Sequence, residues 1–170
     1  MIKHFVLSLL TLLILTACGD QDASQLMDKA KNLREKGQTA EALALFEEIA
    51  RDHENSPEAP EAMYVSAQMY FNEQRDPVKA ATTYELIAEK YPESSWAHRG
   101  LFSAAYTYAN DIRNLERARI AYERYLTQYP DSSMAATAQF ELENLGKSPE
   151  ELLESMQVGP QPITADVEFE

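Results

Sequence analysis

The residues able to do chemistry are few and scattered. The chain has one cysteine, Cys18, and three histidines, His4, His53 and His98. A lone thiolate cannot close an intramolecular disulfide, and zinc or iron–sulfur sites built on cysteine need several. The histidines share no metal-ligand spacing, and no H-E-x-x-H is present. Carboxylates abound, but pairs such as Glu47/Glu48 and Glu150/Glu151 have no neighbour that would set one as acid and the other as base. Five glycines, with no G-x-G-x-x-G, provide no phosphate cradle. A net charge of −13 opposes nucleic-acid binding. The expectation is therefore no enzyme, no cofactor and no metal. Hydrophobic residues make up 45% of the 170, enough for one domain with a core.

The chemistry that remains is attachment. Lys3 gives a basic start, and Phe5–Leu15 is an apolar run broken only by Ser8 and Thr11. Eleven helical residues rise about 16 Å, short of a bilayer core of about 30 Å. That pattern reads as an export signal over 1–17. Leu15-Thr16-Ala17-Cys18 resembles a bacterial lipobox. The resemblance implies that Cys18 becomes the lipidated N-terminus of a short tether, 18–23. Two or more acyl chains, at about 0.8 kcal/mol per buried CH₂, hold a protein on a membrane stably. Gly19 follows the cysteine where Asp would resemble an inner-membrane retention signal, which points to the outer membrane, facing the periplasm.

The rest of the chain must position a surface. Ala42-x-x-x-Phe46, Ala80-x-x-x-Tyr84 and Ala118-x-x-x-Tyr122 recur every 38 residues. Tyr91-Pro92-Glu93-Ser94-Ser95 returns as Tyr129-Pro130-Asp131-Ser132-Ser133, and His53–Pro57 is a worn first copy. Ala59, Ala97 and Ala135 keep the register, as do Ala62, Gly100 and Ala138, and Tyr64, Phe102 and Phe140. Apolar residues at i, i+3/i+4 and i+7 make the copies helical. Alanines let helices approach, and the aromatic four residues later fills the seam. Pro92 and Pro130 end helices by pushing the preceding tyrosine out of helical conformation. Ser94 or Ser95, Ser132 or Ser133, and Asp76 before Pro77 are expected caps. Helices are predicted near 24–36, 39–53, 58–74, 77–90, 95–111, 115–129 and 133–145, the last closed by Gly146. Ser148-Pro149-Glu150-Glu151 opens a short helix to 156. The acidic segment 157–170 reads as a disordered tail.

These motifs resemble the tetratricopeptide repeat (TPR), whose small-residue and A-x-x-x-[FY] positions fall on Ala30/Ala42/Phe46, Ala67/Ala80/Tyr84 and Ala105/Ala118/Tyr122. Copies two and three carry one extra residue between helices. The resemblance implies an all-α, right-handed solenoid of about three helix pairs with a capping helix over 24–156. The YP-[DE]-S-S junction is similar to the envelope subclass of these repeats. That subclass includes a lipoprotein of the outer-membrane β-barrel assembly machine and the C-terminal region of the Tol–Pal coordinating protein.

The family's first helices line a concave groove. Transferred position by position, the groove takes Lys31, Arg34, Tyr64, Gln68, Phe71, Asn72, Arg99, Phe102, Tyr106 and Asn110. Lys31, Arg34 and Arg99 are candidates to clamp an acidic or carboxylate group. Met27 stands where the family's carboxylate clamp uses a basic residue. Phe102 and Phe140 are expected to pack internally, and Trp96 to pack at a repeat junction. The implied function is a lipid-anchored scaffold that binds a protein or peptide partner, in outer-membrane protein assembly. Tol–Pal or peptidoglycan-linked coordination, or a glycan-binding accessory role, is the alternative.

Overall fold

A computed structural model describes residues 22–157. The export signal, Cys18 and residues 158–170 of the tail lie outside them. Eight helices and no strand occur among the described residues: α1 (Ala23–Glu35), α2 (Thr39–Asp52), α3 (Ala59–Asn72), α4 (Pro77–Lys90), α5 (Ser95–Asn110), α6 (Leu115–Gln128), α7 (Ala135–Glu143) and α8 (Pro149–Gln157). The all-α expectation is met.

The chain divides into two compact units, 1–65 and 66–170, and α3 begins in the first and ends in the second. In the first unit, α1 packs on α2. Leu26, Met27 and Ala30 of α1 are buried, as are Ala42, Phe46 and Ile49 of α2. Lys31 reaches Glu61, at the start of α3, in a 2.7 Å ion pair.

In the second unit, α4, α5, α6 and α7 pack each on the next. The seams follow the small-residue register. Ala80, Ala97, Ala104, Ala105, Ala118 and Ala138 are wholly buried, and Tyr84 and Tyr122 fill the spaces beside them. Each large buried ring contributes about 1.5–3 kcal/mol. Gly100 marks the closest approach, since a Cβ there would stand 2.8 Å from the Tyr84 carbonyl oxygen.

Local sequence sets the helix ends. The Asp76 side chain accepts from the Lys79 amide at 2.9 Å, and Asn114 repeats this cap on the Arg117 amide at 3.1 Å. Tyr91 and Tyr129, ahead of the prolines, leave helical geometry with ψ of 54° and 52°. Ser148 and Glu151 form a complete capping box: the Glu151 amide donates to Oγ at 3.2 Å and the Ser148 amide to Oε2 at 2.6 Å. Two expectations are corrected. Ser94 caps α5 through the Trp96 amide, but neither Ser132 nor Ser133 caps α7, because the Ser132 hydroxyl is 2.6 Å from the Tyr125 hydroxyl instead. Helix α7 also stops at Glu143, with Asn144 as its C-cap, before Gly146 is reached at φ +85°.

The turns between paired helices share one left-handed residue. Gly37, Arg75 and Arg113 stand 38 residues apart, with φ of +75°, +56° and +58°. The amide of the next residue returns to the helix just left: Gln38 to Leu33, Asp76 to Tyr70 and Asn114 to Tyr108. The first bond spans five residues and the others six, which absorbs the extra residue of copies two and three.

Candidate peptide-binding groove

In the second unit, α3, α4, α5 and the start of α7 enclose an open groove of about 450 Å³. Phe71 comes from α3, Tyr84 from α4, Phe102 and Tyr106 from α5, and Met134 from the α7 N-cap. The lining is chiefly apolar. Its carboxylate is that of Asp111, the α5 C-cap, whose backbone amide donates a hydrogen bond to the Thr107 carbonyl at 3.1 Å.

The groove's rings are fixed from behind. Phe102 meets Tyr122 and Tyr125 edge-on, with centroids 5.9 Å and 5.7 Å apart. Such pairs contribute about 0.5–1.5 kcal/mol beyond burial. Tyr125 continues to Tyr129 at 5.7 Å, and Tyr129 to the His98 ring at 6.1 Å. Tyr122 is fully buried and its hydroxyl has no hydrogen-bond partner among the described residues. Burial, then the nearby Glu141 and Tyr106, push its pKa well above the ordinary 10. Tyr106 remains 47% exposed and is the ring most open to a ligand.

Three of the residues read from the repeat register thus line one groove: Phe71, Phe102 and Tyr106. The others are placed elsewhere. Tyr64 lies half-buried in the first unit. Gln68 is half-buried and Asn72 exposed on the second half of α3, and neither lines the groove. Asn110 turns its amide back onto the Tyr106 carbonyl at 3.0 Å. Lys31 is paired with Glu61, Arg34 sits half-buried in the first unit, and the Arg99 guanidinium lies 5.3 Å from the Trp96 ring centre. These cations do not line the groove. Phe140, expected to pack, is 52% exposed; one copy on, the places of Tyr122 and Tyr125 fall on Pro160 and Ile163, outside the described residues. The sequence reading missed Tyr84, Asp111 and Met134. Tyr84 was assigned to the seam, and the other two belong to helix ends whose convergence only packing reveals.

A second cleft, of about 460 Å³, holds His98, Tyr129, Asp131, Ser132 and Ser133. The types suggest a hydrolytic triad, but the geometry does not. Ser132 is taken by Tyr125, and no hydrogen bond joins His98 to Asp131 or Ser133 among the described residues. Burial, and then Arg99, hold the imidazole below its ordinary pKa of 6.5. Among the described residues, no cluster of His, Cys, Asp and Glu could hold a metal ion, and no helix is long and apolar enough to cross a membrane.

Two family models, both described as Tetratricopeptide repeat, match residues 27–95 and 99–132, together more than half of the chain. The chain belongs to the TPR family. A search of the curated proteins finds no match. The first TPR match covers α2, α3 and α4 whole, and the second takes in α6 whole and most of α5. TPR proteins are typically non-catalytic scaffolds that bind protein or peptide partners.

Proposed function

We propose that this TPR protein is a lipid-anchored scaffold of the bacterial cell envelope, and that the aromatic groove is where it holds its protein partner. The observation that carries the binding reading is the convergence of Phe71, Phe102 and Tyr106, with Met134, on one open groove. Aromatic side chains offer large contact area at low conformational cost and dominate many interfaces. With Asp111 as its carboxylate, the groove suits an extended segment carrying an apolar or aromatic side chain beside a basic group. This differs from the acidic ligand that Lys31, Arg34 and Arg99 suggested.

The envelope part of the reading rests on the Leu15–Cys18 lipobox and on the YP-[DE]-S-S junctions. Outer-membrane protein assembly is the leading role, and Tol–Pal or peptidoglycan-linked coordination is the alternative. Crosslinking mass spectrometry on native membranes containing the full chain tests both. Recovery of barrel-assembly subunits, abolished by Tyr106→Ala, supports the first; recovery of Tol components moves the reading to the second. Recovery of no protein partner would sink the scaffold idea. A thermal shift with peptidoglycan fragments, lost in Tyr106→Ala, would then favour a glycan-binding role. For the anchor, Cys18→Ser is expected to move the protein out of the membrane fraction, and unchanged fractionation overturns the lipidation reading.

A further inference from the structure

Inside the second unit, the chain shows how one helix receives the end of the next helix and the start of the one after it. Glu85 of α4 accepts the Tyr108 hydroxyl of α5 at 2.7 Å and the Arg117 guanidinium of α6 at 2.9 Å. Arg117 also lies over the Tyr108 ring, 4.4 Å from its centre. The ring–cation pair recurs one copy earlier: Lys79 stands 3.9 Å from the centre of the Tyr70 ring, and both residues lie 38 before their counterparts.

One copy later the acceptor is kept, but in the sequence the places of Tyr108 and Arg117 fall on Gly146 and Ser155. Glu123 of α6 stands 38 residues after Glu85, is exposed, and has no partner for its carboxylate among the described residues. The place of Tyr108 falls on Gly146, beyond the end of α7. That glycine lies over the first turn of α6, where a Cβ would stand 2.9 Å from Leu115 Cδ1, and it offers no side chain. Helix α7 has 9 residues where α5 has 16. On α4 the burial reaches Ala81, wholly covered; on α6 the equivalent residue is Arg119, exposed and without an ion-pair partner among the described residues. Leu115 and Ile120, 42% and 53% exposed, flank this strip.

We propose that the face of α6 around Arg119 and Glu123 docks a helix–turn–helix segment of a partner protein, one whose first helix brings a tyrosine hydroxyl and whose second brings a basic side chain to Glu123. The chemistry follows from what Glu85 holds, and a basic occupant also complements a chain of net charge −13. A second copy of this chain does not meet the requirement. Its first copy has Asn32 and Glu41 at the places of Tyr108 and Arg117, and Glu41 would oppose Glu123. The proposal is independent of the groove.

The probe is a synthetic peptide of residues 95–118, which carries Tyr108 and Arg117, made helical by a hydrocarbon link between positions 95 and 99 and checked by circular dichroism. Titrated with the full chain by fluorescence anisotropy, it should bind saturably. Glu123→Lys should weaken binding by about tenfold or more. The Arg117→Glu peptide should recover affinity for that variant while binding wild type poorly. Affinity unchanged by Glu123→Lys overturns the proposal, as does a helical peptide that fails to bind below about 1 mM. Concentration-dependent self-association of the chain in sedimentation, abolished by Glu123→Lys, would make the occupant a second copy and overturn it too.

Discussion

At the α4–α5 seam, Gly100 lets one helix rest on the backbone of the other, and Tyr108 and Arg117 close over Glu85. At the α6–α7 seam the same register supplies Ala138, buried like its counterpart, but α7 ends after nine residues and nothing in the chain's described part pairs with the Glu123 carboxylate. One set of small residues therefore draws both helix pairs together. How far each seam is sealed depends on residues particular to the copy. Burial of alanines is generic, while the polar closure is individual.

The widest contrast should come from the aromatic residues of the two seams. Tyr108→Ala should cost about 4 kcal/mol in urea unfolding, from the lost ring and the loss of one of the two hydrogen bonds that Glu85 accepts. Phe140→Ala, half-exposed, should stay within about 0.5 kcal/mol. Equal effects would break the comparison. Next, Gly100→Ala should destabilise by about 2 kcal/mol, since a methyl against the Tyr84 carbonyl outweighs the gain of up to about 1 kcal/mol in helix propensity. A stabilised variant would show that the seam can slide.

Smaller effects sharpen the picture. Ser132→Ala should cost about 1 kcal/mol by leaving the Tyr125 hydroxyl unpaired. Adding Tyr125→Phe should then cost less than it does alone, a coupling a double-mutant cycle reads. The smallest is a pH effect. His98 has a lowered pKa in the folded chain, so the unfolded chain binds more protons around and below 6.5. The contribution is full above that value and is lost as pH falls towards the folded pKa. The midpoint of thermal unfolding should drop on acidification from pH 7, and His98→Gln should flatten that slope.

Much of the fold was legible because its determinants are local. The alanine register, the Tyr-Pro stops, the Asp76 cap and the Ser148/Glu151 box each act within one turn, and every helix falls within two residues of its expected bounds at either end. The groove was legible only in part. Register could put Phe71, Phe102 and Tyr106 on comparable faces, but bringing Asp111 and Met134 beside them depends on packing between elements. The choice between equivalent serines was also hidden. Ser94 finds a free amide while Ser132 finds a tyrosine hydroxyl, and identical pentapeptide logic cannot separate them. The cations misled for a related reason: Lys31 and Arg99 were judged by charge, and their neighbours Glu61 and Trp96 had already engaged them.

The left-handed turns show what the copies hold in common. Gly37 fits its dihedral freely, whereas Arg75 and Arg113 hold nearly the same angle at a cost of about 1 kcal/mol each. What the three copies share at this point is a path of the backbone, kept by the helices on either side, while the residue that follows it differs.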